Sequence, residues 1–140
     1  MLKGISKNIS PELLKILCEM GHGDEIVIAD GNFPAENYGK RVVRADGLGG
    51  TEMLSAVLSL FPLDTYAKEN FLLMQTTNGD PTPVIWEEYF SVAYEKDNNV
   101  SIGKLERFAF YERAKNAYAV IATGESAVYA NIILKKGVIK

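Results

Sequence analysis

The chain has 140 residues, 47% hydrophobic and 24% charged, with a formal net charge of −3. That length sustains one domain with an ordinary core across residues 1–140 and excludes two. The acidic balance excludes nucleic acid and anionic membrane as partners, since either needs a basic patch, and no apolar run approaches the roughly 18 residues of a membrane span.

The first predicted element is a helix. Ser10 suits the cap, Pro11 the first helical position and Glu12 the positive N-terminal end. Leu13, Leu14, Leu17 and Met20 form one apolar face, and Gly21 supplies the stop. Cys18, the one cysteine, cannot form an internal disulfide and is expected in the core. It fits a reducing compartment, and with Met1-Leu2-Lys3-Gly4 starting no secretory signal the expected location is cytoplasmic. One histidine and one cysteine give no recognised ligand spacing, so no metal is expected.

Ile26-Val27-Ile28-Ala29 reads as a strand covered on both faces, ending at Asp30. Residues 31–40, with Pro34 and Gly39, read as a loop, and 41–45 as a short strand. Gly47, Gly49 and Gly50 lead to a helix capped by Thr51, striped by Met53, Leu54, Val57, Leu58 and Phe61 and closed by Pro62. This cluster lacks the third glycine of a dinucleotide-binding turn, which is Glu52, and the lysine of a phosphate loop, so it reads as a close-packed turn. A strand over 71–75 precedes a loop over 76–82 and a helix starting at Thr82-Pro83, in which Trp86 serves packing. A strand over 100–105, a helix over 106–116 and strands over 117–123 and 132–134 complete the chain. Strands alternating with helices predict an α/β single domain with a largely parallel sheet and helices on both faces.

The only group with an unperturbed pKa near neutrality is His22, which with Asp30 brackets the first strand. On position alone His22 could equally serve the helix end before it, Asp30 an Asp-Gly-Asn turn, Arg107 a solvated helix terminus and Tyr129 the core.

Gly21-His22-Gly23-Asp24-Glu25 followed by Ala29-Asp30-Gly31-Asn32-Phe33-Pro34 resembles the opening of the fucose mutarotase and ribose pyranase family. The segments 44–47, 107–114 (Arg-Phe-Ala-Phe-Tyr-Glu-Arg-Ala), 123–125 and 131–137 are similar to its later motifs, in the same order. His-Gly-Asp-Glu and Arg-Phe-Ala-Phe-Tyr-Glu-Arg resemble the fucose branch more than the ribose branch. The resemblance implies cofactor-free interconversion of the α and β anomers of a free monosaccharide, fucose before ribose. An acid protonates the ring oxygen, a base takes the anomeric hydroxyl proton, and the opened ring recloses on the other carbonyl face. It implies His22 as proton donor, with Asp30, Arg107 and the segment Tyr129-Ala130-Asn131 as substrate contacts. It also implies a homo-oligomeric ring, typically a decamer, with sites at subunit contacts. Ring opening of ribose and non-catalytic sugar binding are the alternatives.

Two further expectations follow. Ala130 stands where the family typically has glycine, and would be strained if that position needs a positive φ. Were the intervening segment fully extended, His22 and Asp30 would lie roughly 25 Å apart, too far to touch one monosaccharide. Either the segment at 22–25 curls back, or neighbouring subunits share the site. Tyr118, Tyr129 and Phe110 are the aromatic candidates for subunit contact.

Overall fold

In the computed structural model, which describes residues 1–140, every strand joins a single six-stranded sheet ordered β2-β5-β1-β6-β3-β4. The strands are β1 (Glu25–Ala29), β2 (Val42–Ala45), β3 (Phe71–Met74), β4 (Ile102–Leu105), β5 (Ala119–Thr123) and β6 (Ile132–Lys135). The helices are α1 (Pro11–Glu19), α2 (Ala35–Tyr38), α3 (Gly50–Leu58), α4 (Ile85–Lys96) and α5 (Arg107–Asn116). Strand β1 pairs parallel with β5, β5 with β2, and β3 with β4. Only β6 runs the other way, antiparallel to both β1 and β3 at the centre of the sheet. No helix is long and apolar enough to cross a membrane.

Side-chain alternation along the strands explains the layers. Ile26 and Ile28 of β1 point into a core shared with α1, α3 and α4, while Val27 and Ala29 point to the opposite face, against Phe33, Phe110 and Ala114. All four are fully buried, so a one-residue slip would exchange two packed faces at once. Burying each isoleucine contributes about 2 kcal/mol.

Several sequence expectations are corrected in detail. Cys18 is exposed; Ile16, two residues earlier, takes the buried place beside Leu13 and Leu17. Ser10 caps α1 as expected, its hydroxyl accepting from Leu13 N–H at 3.1 Å. The stop comes from an extended Met20 (ψ 135) rather than from Gly21, and the positive φ falls on Gly23 at 87°. The 31–40 loop contains the one-turn α2. Helix α3 starts at Gly50 and is capped from Gly49, not Thr51: the Glu52 carboxylate reaches the Gly49 N–H and the Glu125 carboxylate the Gly50 N–H. Phe110 is fully buried, packed edge-on against Phe33, and cannot anchor a partner.

Helix α5 is fixed to β1 by a two-pronged ion pair, Arg113 Nε to Glu25 Oε1 at 3.0 Å and Arg113 Nη2 to Glu25 Oε2 at 2.7 Å. The Glu106 carboxylate caps the helix on the N–H groups of Phe108 and Ala109. Together these hold Arg107, the first residue of α5, over the carboxyl end of the parallel strands.

Candidate active site

The five parallel strands end on one side of the sheet, and β6, running against them, begins there. Asp30 follows β1, Met74 ends β3, Arg107 follows β4, and Tyr129-Ala130-Asn131 lead into β6. Asp30, Met74, Arg107, Tyr129 and Asn131 line one cavity of about 370 Å³. Open α/β sheets bind ligands at this end, and the volume suits one monosaccharide.

Asp30 and Asn131 form its floor. Both are buried, and they are tied to each other: Asp30 N–H donates to Asn131 Oδ1 at 2.7 Å. The Asp30 carboxylate accepts from Asn32 N–H at 3.0 Å and Ala130 N–H at 3.3 Å. The turn reading of Asp30 holds, and the Asp-Gly-Asn turn also sets the residue on the cavity wall. Burial pushes the Asp30 carboxyl above the usual range, against the backbone N–H groups and the Asn131 side chain that favour its charged form. Such a group accepts hydrogen bonds strongly, because little water competes.

Arg107 is exposed at the rim, its Nε donating to the Tyr111 hydroxyl at 3.2 Å one helical turn away. Tyr111 packs edge-on to Phe33 and stacks on Tyr38, giving the guanidinium an apolar seat.

Tyr129, and not Ala130, takes a positive φ, 53°. A non-glycine residue there costs about 1 kcal/mol or more, and three hydrogen bonds hold it. Its carbonyl accepts from Trp86 Nε1 at 2.8 Å, its hydroxyl pairs with Thr77 Oγ1 at 3.0 Å, and it donates to Asp80 Oδ2 at 2.6 Å. Trp86 thus does more than pack. Ala130 is 1% exposed; its methyl faces the core, its carbonyl accepts from the Tyr89 hydroxyl at 2.9 Å, and only its N–H turns toward Asp30. Alanine is accommodated without strain.

His22 is not part of this cavity. The segment before β1 does curl, with Asp24 N–H donating to Gly21 O at 3.2 Å, but the curl carries His22 to Asp64, not to Asp30. Asp24 to Asp30 alone spans about 20 Å at ~3.3 Å per residue. His22 Nε2 lies 3.0 Å from Asp64 Oδ1, and the ring sits 5.3 Å from that of Tyr66.

Sequence reasoning missed Asn32, Thr77, Asp80 and Tyr111 in the cavity and Asp64 beside His22. The spacing of Arg107 and Tyr111, four apart on one helix, was a usable signal. Asp64, Thr77 and Asp80 lie in loops brought in by the sheet, and nothing local marks them.

With this geometry in view, relatives are informative. An L-fucose mutarotase of Histophilus somni is 50% identical over 140 residues, covering 99% of this chain and 97% of its own. A crystal structure of the fucose mutarotase of Streptococcus pneumoniae in complex with L-fucose superposes with a TM-score of 0.95 at 49% identity, over 99% of this chain and all of that one. FucU from Bifidobacterium longum gives the same TM-score at 60% identity, with the same coverage. Residues 3–139 match the RbsD / FucU transport protein family. The protein belongs to the RbsD / FucU family.

Proposed function

We propose that this protein is an L-fucose mutarotase, a cofactor-independent isomerase that interconverts the α and β anomers of the free sugar by acid/base-catalysed ring opening. The observation that carries the reading is the convergence of Asp30, Arg107, Tyr129 and Asn131 on one sugar-sized cavity, in a chain half identical to L-fucose mutarotases. Asp30 accepts hydrogen bonds from sugar hydroxyls. Asn131, its Oδ1 committed to Asp30 N–H, offers its amide as donor, and Arg107 and the Tyr129 hydroxyl close the rim. Ala130 takes part through its backbone.

The proton donor is His22, supplied by a neighbouring subunit of a homo-oligomeric ring, a decamer in our reading. Two features support a shared site. Within one chain His22 and the cavity occupy opposite ends of β1, and each end carries an exposed aromatic ring, Tyr66 beside His22 and Phe108 beside Arg107. The exposed, unpaired Cys18 supports a reducing cytoplasm as the working compartment.

Saturation-transfer NMR on equilibrated L-fucose tests the proposal. Irradiating one anomeric proton should attenuate the other in proportion to protein concentration, with weaker transfer between the ribose ring forms. Binding without transfer would leave a sugar-binding protein, and faster transfer in ribose would make it a pyranase.

The pH profile gives a second expected result. If an imidazolium is the acid, enzyme-dependent exchange should be greatest at acidic pH and should decline as the pH rises through the range in which histidines in general lose their proton. A rate flat from about pH 5 to 9 after background subtraction would move the acid elsewhere.

A further inference from the structure

The cavity leaves one arranged cluster unaccounted for, at the opposite end of the sheet. His22 is partly open, its side chain 43% exposed, while the Asp64 side chain that meets it is 4% exposed. Asp64 is fixed from several directions. Its N–H donates to Lys135 O at 3.0 Å, its carbonyl accepts from Asn70 Nδ2 at 2.9 Å, and its Oδ1 accepts from Tyr66 N–H at 3.0 Å. The backbone bonds fix the residue, and the Tyr66 N–H on Oδ1 turns the carboxylate toward His22 Nε2, 3.0 Å away.

That contact decides which imidazole nitrogen is free to react. An ionised carboxylate only accepts hydrogen bonds, so Nε2 carries a hydrogen. In the neutral ring Nδ1 then bears the lone pair, and in the charged ring Nδ1–H is the proton left to give. We propose that Asp64 is a positioning residue for proton transfer: it holds His22 in the Nε2–H form and presents Nδ1 as the atom that exchanges a proton with the sugar ring oxygen. The inference rests on the reading of His22 as the proton donor.

The proton balance is simple. Nδ1–H protonates the ring oxygen as the C1–O5 bond breaks and the anomeric hydroxyl proton leaves to the base. On reclosure at the opposite face the base returns its proton to the carbonyl oxygen and the O5 hydroxyl returns its own to Nδ1, so nothing is consumed. Asp64 stays ionised throughout: burial pushes its carboxyl up, but the Tyr66 N–H and the His22 side chain outweigh this, and it sits below the ordinary range. The other charged or titratable groups here are Tyr66, Lys135, whose charge also favours ionised Asp64, and Lys140, whose Nζ lies 5.7 Å over the Tyr66 ring. None of them bonds the imidazole.

Two measurements test this. Nitrogen-15 shifts of the neutral wild-type imidazole should show protonated Nε2 and bare Nδ1; the reverse assignment overturns the proposal. Asp64→Asn, which keeps the shape and removes the charge, should lower the maximal exchange rate about ten- to hundredfold, part of the 10²–10⁴ that a positioned acid supplies. The loss should fall on the maximal rate more than on the fucose KM, because Asp64 acts through His22. An unchanged rate in folded Asp64→Asn overturns the proposal. His22→Ala separates the two ideas: exchange retained there fails the parent reading, while exchange lost there but intact in Asp64→Asn fails this inference alone. Were Asp64→Asn unable to fold, the nitrogen shifts would still decide the tautomer.

Discussion

Replacing His22 with alanine is expected to abolish enzyme-dependent anomer exchange while leaving fucose binding largely intact. A positioned acid is worth roughly 10²–10⁴-fold in rate, and His22 is the only histidine in the chain, so water would have to replace it. Binding should fall far less, because the polar groups expected to hold the sugar, Asp30, Asn131, Arg107 and Tyr129, all lie in a cavity to which His22 of the same chain contributes nothing. The fold should tolerate the change, since the imidazole is half-exposed and Asp64 keeps its bond from Tyr66 N–H. Saturation transfer measures the rate, and titration calorimetry measures the affinity. Undiminished exchange in a folded His22→Ala protein would remove the acid assignment.

The second large effect comes from combining two dead proteins. His22→Ala and Asp30→Ala should each be inactive alone, and should regain activity when unfolded together and refolded as mixed rings. The reason is the span of β1: with His22 bonded at its amino end and Asp30 at its carboxyl end, one monosaccharide cannot reach both in one chain. If neighbouring chains supply them, mixed contacts arise in which one chain offers intact His22 and the next an intact cavity. For random mixing in equal amounts about a quarter of the pockets pair two intact residues, given that each pocket draws on two chains. If both residues came from one chain, every pocket would carry a defect and mixing would restore nothing. No recovery after verified mixing would refute the shared pocket, and a fully active monomer would refute the interface reading as a whole.

Much of the fold was legible because burial patterns are local. The run 26–29 announced a strand covered on both sides, and its alternate residues do enter two separate cores. Ser10 and Pro11 marked the start of α1 because capping chemistry is written within a few residues. The reversed direction of β6 was not legible, since a buried strand has the same composition whichever way it runs. Cys18 was misplaced because its neighbours are apolar, yet it falls just outside the face that Leu13, Ile16 and Leu17 present. The candidate site divides likewise. Asp30 and the 129–131 segment were reached through motif resemblance, and Arg107 through the same route against its own positional reading. Asp64, Thr77 and Asp80 came only with the coordinates, because their partners lie 42, 52 and 49 residues away in the chain.

The left-handed Tyr129 carries a consequence for recognition. A flexible loop that closed on a sugar would surrender its freedom at the moment of binding, and that loss would be subtracted from the affinity. Here Trp86, Thr77 and Asp80 hold the tyrosine in its unfavourable conformation before any ligand arrives. The ordering cost is therefore charged to folding, where a large core absorbs it, and the cavity keeps a preorganised wall. For an enzyme whose substrate and product are anomers of one sugar, such preorganisation would strengthen the binding of both alike and leave the rate to the proton-transfer groups.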